Sequence, residues 1–259
     1  MQYLGQHFLK NEKAVSLIID ALCLRAGETV IEIGPGTGAL TKPLAVACAS
    51  KKCTLVAVEK DTELAGALSV PKARVIVGDI LRELPKLSAD LDSYKLAGNI
   101  PYYITGNLLR VISELPNKPV LTVLMTQKEV AERIAAQPPE MNLLAAATQV
   151  WARPEILMKL TPADFDPPPA VHSAIIQLTT HNKQLTTEEL QKYYSALHRI
   201  FKQPRKTLLN NLCAPPLEKN ARELSREAAT RLLETLQIQL AARGQDVSVE
   251  LLLVLSKNL

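Results

Sequence analysis

Through the first 180 residues, short apolar runs rich in β-branched residues alternate with stretches of helical periodicity. The runs predicted to be buried strands are 29–33, 54–58, 74–77, 95–97 and 120–125. The stretches predicted to be helices are 39–49, 62–68, 105–115 and 128–136. Such alternation of strand and helix indicates right-handed βαβ units. The pattern therefore predicts an α/β fold with a mostly parallel, doubly wound sheet.

Two later apolar runs, 155–160 and 173–179, have no helical pattern between them, and we expect an antiparallel pair at one edge of the sheet. The connector 164–169 contains three consecutive prolines and is predicted to be extended. After about residue 180 only amphipathic helix patterns remain, at 187–201, 204–212, 226–240 and 248–255. We therefore predict two domains, with the sheet in residues 1–182 and a small all-α domain in residues 183–259.

The composition is that of an ordinary globular chain, because 47% of its 259 residues are hydrophobic and 22% are charged. The longest apolar runs are far shorter than a membrane span, and the N-terminus lacks the pattern of a secretory signal. The four cysteines are scattered and no histidine cluster accompanies them, which excludes the usual zinc sites and disulfide frameworks. We expect a soluble cytoplasmic protein without a bound metal or a membrane partner. The lack of coiled-coil heptads favours a monomer.

Basic residues are concentrated in the predicted helical tail. The whole chain carries a net charge of +4, whereas nine lysines and arginines stand against three glutamates between residues 192 and 231. Lys202, Arg205 and Lys206 form the tightest cluster, which makes them candidates for contacts with nucleic-acid phosphates. The alternative for this charge is an ordinary solvated helical surface.

Polar residues end three successive predicted strands. A glycine-rich turn at 34–38 follows the first strand, and Gly34 and Gly36 would let the backbone approach a ligand closely. Glu59 ends the second strand, where a carboxylate can accept both ribose hydroxyl protons. Asp79 ends the third, where it would accept from the amine of an adenine ring or cap the following helix. Together they predict an adenosine-binding site, without deciding between a nicotinamide cofactor and S-adenosylmethionine.

The tetrapeptide Asn-Ile-Pro-Tyr at 99–102 follows the fourth predicted strand and favours one of these chemistries. The exocyclic amine of adenine is a poor nucleophile because its lone pair is delocalised into the ring. The Asn99 side-chain carbonyl and the Ile100 backbone carbonyl can accept its two protons and aim the nitrogen at a methyl group. Tyr102 offers a flat face for the base. In isolation the segment is equally typical of a capped turn, but its place in an adenosine-binding sheet favours adenine methylation.

Five segments of the chain resemble the ribosomal RNA adenine dimethyltransferase family, which acts near the 3′ end of small-subunit rRNA. They are Gly-Gln-His-Phe-Leu at 5–9, Glu-Ile-Gly-Pro-Gly-Thr-Gly-Ala-Leu-Thr at 32–41, the tetrapeptide at 99–102, Gln-Lys-Glu-Val-Ala at 127–131 and Phe-x-Pro-x-Pro-x-Val-x-Ser-Ala at 165–174. The resemblance covers nearly the whole chain. It implies a Rossmann-like methyltransferase sheet followed by an all-α domain that binds RNA and sets specificity.

The resemblance also implies a cofactor, S-adenosylmethionine, and roles for particular residues. The implied catalytic residues are Asn99, Tyr102 and Phe165, with Phe165 closing on the target base opposite Tyr102. The alternative for Phe165 is a hydrophobic plug at a proline-rich turn. The implied cofactor-binding residues are His7 and Leu9, which fold over the methionine end, together with Gly34, Gly36, Glu59, Asp79 and Asn99.

The tail segments 201–208 and 221–225 favour the small-subunit branch over the related antibiotic-resistance methyltransferases of large-subunit rRNA. The resemblance implies dimethylation of two adjacent adenines and a role in assembly of the pre-ribosomal small subunit. Two features depart from the family pattern: Pro204 replaces an arginine, and residues 137–144 replace a glycine- and tyrosine-bearing loop. Three alternatives stay open, namely a large-subunit enzyme, a DNA adenine methyltransferase, and a non-catalytic ribosome-assembly or RNA-binding factor.

Overall fold

The computed structural model describes residues 7–181, 185–215 and 224–259. Its strands are β1 (Phe8–Leu9), β2 (Thr29–Ile33), β3 (Thr54–Glu59), β4 (Ala73–Val77), β5 (Tyr94–Asn99), β6 (Leu121–Gln127), β7 (Ala152–Leu160), β8 (Phe165–Asp166) and β9 (Ser173–Thr180). Its helices are α1 (Glu12–Ala21), α2 (Thr41–Lys51), α3 (Thr62–Ala67), α4 (Ile80–Ala89), α5 (Thr105–Glu114), α6 (Lys128–Ala135), α7 (Leu143–Gln149), α8 (Thr187–Ile200), α9 (Leu208–Leu212), α10 (Arg226–Thr235) and α11 (Val249–Ser256).

Seven strands form one sheet in the order β4-β3-β2-β5-β6-β9-β7, and β1 pairs separately with β8. The first five strands of that order are parallel, whereas β9 runs antiparallel to β6. The predicted doubly wound sheet with an antiparallel edge is therefore confirmed. The chain proceeds outward from β2 in one direction and from β5 in the other. Ligands of such sheets bind at this switch point, beyond the carboxyl ends of the strands.

The central strands are apolar along almost their whole length because the sheet is covered on both faces. In β2, Val30, Ile31 and Ile33 are all buried, although they point to alternate sides. The exception is Glu32, a carboxylate that is 1% exposed in the middle of this apolar run. Burial of a carboxylate is costly, so its position calls for a reason beyond packing.

The chain forms two compact units. The first comprises residues up to Glu132 together with Arg153–Thr180, and the second comprises Arg133–Ala152 with His181–Leu259. The predicted boundary at 182/183 lies outside the described residues. The division differs from the prediction in Arg133–Ala152, which joins the helical unit because its polar groups are satisfied there. For example, Gln149 Nε2 donates to the carbonyl of Ile134 at 2.8 Å, and the Tyr193 hydroxyl donates to the carbonyl of Ala146 at 3.1 Å.

Two helix boundaries in the second unit correct the predictions. Helix α9 begins at Leu208 rather than at Pro204, because Thr207 Oγ1 accepts from the Asn210 N–H at 3.3 Å and caps the helix there. Helix α10 ends at Thr235 rather than at 240, because Gln237 adopts a left-handed backbone with φ of 56°. Residues 202–206 therefore lie in an exposed turn and not in a helix.

Candidate active site

The glycine-rich turn after β2 is covered by the residues that follow the N-terminus. Gly36 has a φ of 55°, and a Cβ added there would lie 2.8 Å from a ring carbon of Phe8. Glycine is thus required both for the backbone conformation and for the close approach of the Phe8 ring. Segment 7–9, placed by the β1–β8 pairing, lies over the turn. Residues 5 and 6 of the family segment lie outside the described residues.

Glu59 lies at the carboxyl end of β3 and is bound to the glycine turn. Its carboxylate accepts from the Gly36 N–H and from the Asp61 N–H, both at 2.9 Å. A carboxylate has about four acceptor positions, so these two bonds leave capacity for a ligand's hydroxyl groups. The side chain is buried but lines the cavity above the turn.

Asp79 caps helix α4 and is paired with a lysine. One carboxylate oxygen accepts from the Leu81 N–H at 3.0 Å, and the other contacts Lys60 Nζ at 3.1 Å. Burial alone would raise the pKa of Asp79, but the bonds from Leu81 and Lys60 outweigh it and lower that pKa below its usual value. The capping alternative considered for Asp79 is thus observed, and its binding of an adenine amine stays a prediction.

Glu32 is a site residue to which the sequence analysis gave no role. One carboxylate oxygen accepts from Thr41 Oγ1 at 3.0 Å, while the other, fully buried, has no hydrogen-bond partner among the described residues. Burial raises the pKa of Glu32 to about 8, and the nearby charge of Glu59 adds to the effect. The available signal was a single carboxylate in an otherwise apolar strand, immediately before the glycine turn.

One cavity brings together most of the predicted site residues from five different parts of the chain. Its lining includes His7, Leu9, Gly34, Gly36, Glu59, Asn99 and Tyr102, together with Glu32. A neighbouring cavity contains Asp79 and shares Gly34, Glu59 and Pro101 with the first. The two cavities form a continuous surface along the carboxyl ends of β2, β3, β4 and β5.

The Asn99 side chain has a defined orientation at the end of β5. Its amide nitrogen donates to the backbone carbonyl of His7 at 2.7 Å. Because a carbonyl oxygen can only accept, the amide must present its nitrogen to His7 and its own oxygen elsewhere. The Asn99 oxygen thus stays available as an acceptor in a site that also contains Tyr102.

Phe165 does not line either cavity. Its side chain is 1% exposed and packs in the hydrophobic core with Leu9, Ile18 and Met125. Pairing of β8 with β1 directs this ring inward, opposite Leu9. The structure therefore does not bring Phe165 to the face of Tyr102, in contrast to the predicted stacking role, and its burial favours the hydrophobic plug.

Comparison with known proteins agrees with this arrangement. Residues 2–257 match the model of the family described as Ribosomal RNA adenine dimethylase. The chain belongs to this family. A relative named Ribosomal RNA small subunit methyltransferase A, from Acidobacterium capsulatum, is 35% identical over 99% of this chain and 90% of its own.

Solved structures extend the comparison of this dimethylase-family chain to its fold. The 23S rRNA methyltransferase ErmE has a TM-score of 0.75 and 25% identity, covering 97% of this chain and 99% of its own. A dimethyladenosine transferase from Plasmodium falciparum has a TM-score of 0.77 and 23% identity, covering 97% of this chain and 98% of its own. Both likenesses extend through the sheet and the helical region.

The second unit of this family member carries the predicted basic cluster. Lys202, Arg205 and Lys206 are all exposed in the turn before α9. Asn211 stabilises the turn, because its side-chain oxygen accepts from the Gln203 N–H and its nitrogen donates to the Gln203 carbonyl, both at 3.1 Å. Part of the tail that favoured the small-subunit branch, residues 221–223, lies outside the described residues.

Two searches concern other kinds of site. Within residues 7–181, 185–215 and 224–259, no three His, Cys, Asp or Glu side chains are grouped so as to hold a metal ion. In the same part of the chain, no helix combines the length and the apolar character that a membrane span requires.

Proposed function

We propose that this member of the ribosomal RNA adenine dimethylase family transfers methyl groups from S-adenosylmethionine to the exocyclic amine of adenines in small-subunit rRNA. Each transfer forms a carbon–nitrogen bond and breaks the carbon–sulfur bond of the sulfonium, and the nitrogen gives up a proton. Two transfers produce dimethyladenosine. The single observation that carries the proposal is the orientation of Asn99, whose amide nitrogen is bound to the His7 carbonyl at 2.7 Å.

That orientation supports a catalytic role for Asn99. With its nitrogen engaged, its oxygen is left to accept a proton of the target amine, and the Ile100 carbonyl would accept the other. Positioning a weak nucleophile next to a good leaving group supplies most of the catalysis, so no strong general base is required. Tyr102, on the wall of the same cavity, would stack on the base once it leaves the RNA stack.

The residues around the cavity fit S-adenosylmethionine. The partnerless oxygen of Glu32 suits the ammonium group of a methionine moiety, because a buried carboxylate gains most from a cationic partner. Glu59 retains acceptor positions for ribose hydroxyls, and Asp79 lines the adjoining cavity, where an adenine amine would bind. When bound, the cofactor would supply an electrophilic methyl group.

The small subunit is the favoured substrate because the relatives that cover nearly the whole chain are named for it. The match to the Acidobacterium capsulatum protein is 35% identical, whereas the match to the 23S enzyme ErmE is 25% identical. In this proposal the helical unit binds RNA phosphates through Lys202, Arg205 and Lys206. The protein acts as a cytoplasmic monomer on pre-ribosomal small subunits.

The test is methylation of unmodified small and large ribosomal subunits, side by side, with labelled S-adenosylmethionine and mass spectrometry of the nucleosides. We expect dimethyladenosine in the small subunit only. Asn99→Ala should lower the rate by about 100-fold or more, as loss of a positioned polar group in an active site does. Asn107→Ala, at an exposed position of α5, is the matched control and should keep the parental rate.

Each other outcome selects an alternative. Label confined to the large subunit would assign the protein to the 23S branch. Cofactor binding without label in either subunit would favour an assembly or RNA-binding factor. An Asn99→Ala variant as active as the parent would show that the mechanism is wrong.

A further inference from the structure

Two nearly parallel rings face each other across the cavity that contains Asn99. The rings of His7 and Tyr102 have centroids 6.5 Å apart and an angle of 23° between their planes. A flat base in van der Waals contact with a ring on each side needs about 7 Å between those rings, or two contacts of about 3.5 Å. The observed gap is therefore only about half an ångström narrower than a slot for one base.

We infer that His7 and Tyr102 are the two walls of the slot that receives the target adenine, an inference that rests on the proposed function. This gives His7 a base-binding role in addition to the position of its backbone over the cofactor site. It also replaces Phe165 as the ring opposite Tyr102, because Phe165 is buried in the core.

The first wall is held at its edge and at its backbone. His7 Nδ1 lies 2.8 Å from the carbonyl oxygen of Pro167, and since that oxygen only accepts, Nδ1 carries the proton and donates. The His7 carbonyl accepts from Asn99 at 2.7 Å. The ring that stacks on the base and the amide that accepts from its amine are thus coupled directly.

The second wall is held in a similar way. The Tyr102 hydroxyl is 2.7 Å from the hydroxyl of Ser173, which is fully buried at the start of β9. At the other end of the residue, the Tyr102 carbonyl accepts from Thr105 Oγ1 at 3.2 Å. Ser173 is thus a positioning residue, because it fixes the tilt of the Tyr102 ring without lining the cavity.

Both anchors belong to one stretch of chain. Pro167 follows β8 and Ser173 begins β9, so the proline-rich segment between them connects the fixed points of the two walls. This gives the sequence signature at 165–174 a function in the site that does not require Phe165 to reach the base. The signature sets the width and tilt of the slot.

The test compares His7→Phe, which keeps a flat ring, with His7→Leu, which does not. Stacking of one base on one side chain corresponds to roughly 5- to 150-fold in affinity. We expect His7→Leu to lower kcat/KM for unmodified small subunits within that range, and His7→Phe to stay within about threefold of the parent. The Kd of S-adenosylmethionine, measured by calorimetry, should change by less than about threefold in both variants.

A second readout does not depend on methyl transfer. The fluorescence of 2-aminopurine riboside, a base without an amine at position 6, is quenched when it stacks between aromatic rings. The parent and His7→Phe should quench it, and His7→Leu and Tyr102→Leu should not. A parent that quenches 2-aminopurine but methylates no RNA would contradict the proposed function and support the slot.

Three results would overturn the slot. One is a His7→Leu variant with parental kcat/KM and quenching, and another is a loss of cofactor affinity as large as the loss of kcat/KM. The third is a Phe165→Leu variant that folds normally and loses quenching while His7→Leu does not.

The positioning role of Ser173 is tested by a double-mutant cycle with Tyr102→Phe. Ser173→Ala and Tyr102→Phe remove the same hydrogen bond, so the double variant should quench and turn over no worse than the poorer single variant. Fully additive losses would show that Ser173 does not act through Tyr102.

Discussion

Replacement of Gly98 by alanine tests whether the spacing of β2 and β5 sets the geometry of the site. Gly98 pairs with Ile33 at the carboxyl ends of these strands. A Cβ built on Gly98 would lie 2.5 Å from the Ile33 backbone oxygen and 3.0 Å from the Ile33 Cβ, whereas ordinary contacts begin at 3.4 Å. The two strands would have to separate by about 0.9 Å, and the atoms in the way belong to the backbone and Cβ of a central strand.

The expected cost follows from this overlap. Overpacking of a rigid interior costs about 1–3 kcal/mol, and about 2 kcal/mol lowers the Tm of a unit of this size by roughly 4–8 °C. The neighbours of the displaced pair are Gly34 and Asn99, so the site should be distorted as well. A misplacement near 1 Å can cost about 100-fold in rate, and we expect a loss of that order for Gly98→Ala.

The assay is thermal unfolding followed by circular dichroism, together with methyl transfer measured well below the Tm. Gly106→Ala is the matched control, because a Cβ at this position of α5 would meet nothing within 4 Å. It should keep its activity and gain up to about 1 kcal/mol from helix propensity. A Gly98→Ala protein with parental Tm and activity would refute the reasoning.

Three further predictions concern charge. Burial raises the pKa of Glu32 to about 8 from its ordinary 4.5, so the folded state keeps a proton that the unfolded chain releases, and stability falls as pH rises through that window. Glu32→Gln should therefore raise the Tm of the ligand-free protein more at pH 8 than at pH 5, and an equal change at both would contradict this. Replacement of Lys202, Arg205 and Lys206 by glutamine should reduce the slope of log K for RNA against log salt by about 2, and an unchanged slope would exclude phosphate contacts there. Lys95→Met strands a buried carboxylate now 2.6 Å from the ammonium, and urea unfolding should show a loss of about 3 kcal/mol, where no loss would refute the pairing argument.

Local sequence patterns were sufficient for the main elements of the sheet. Strand β2 was predicted with its observed bounds, Thr29–Ile33, because a short apolar run ended by a glycine turn has few other structures open to it. Helix α1 was not predicted, although Ala14, Val15 and Ile18 have helical spacing and are buried. The turn before α9 was also missed, because the proline at 204 suits a helix start as well as a turn, and the cap at Thr207 decides between them.

The sequence by itself determined which polar residues meet at the switch point. Gly34, Glu59, Asp79 and Asn99 each follow a parallel strand, and the carboxyl ends of parallel strands lie at one edge of a sheet. This rule needs only the order of the strands. The predicted cofactor site could therefore be assembled from local patterns alone.

Only the tertiary structure decided which side chains of distant segments face the cavity. The pairing of β1 with β8 places His7 beside Pro167 and turns Phe165 into the core, although the two segments are far apart in the chain. Packing likewise left one oxygen of Glu32 without a partner and joined Arg133–Ala152 to the helical unit. Periodicity describes which face of an element is apolar, but which neighbour covers that face depends on contacts between distant segments.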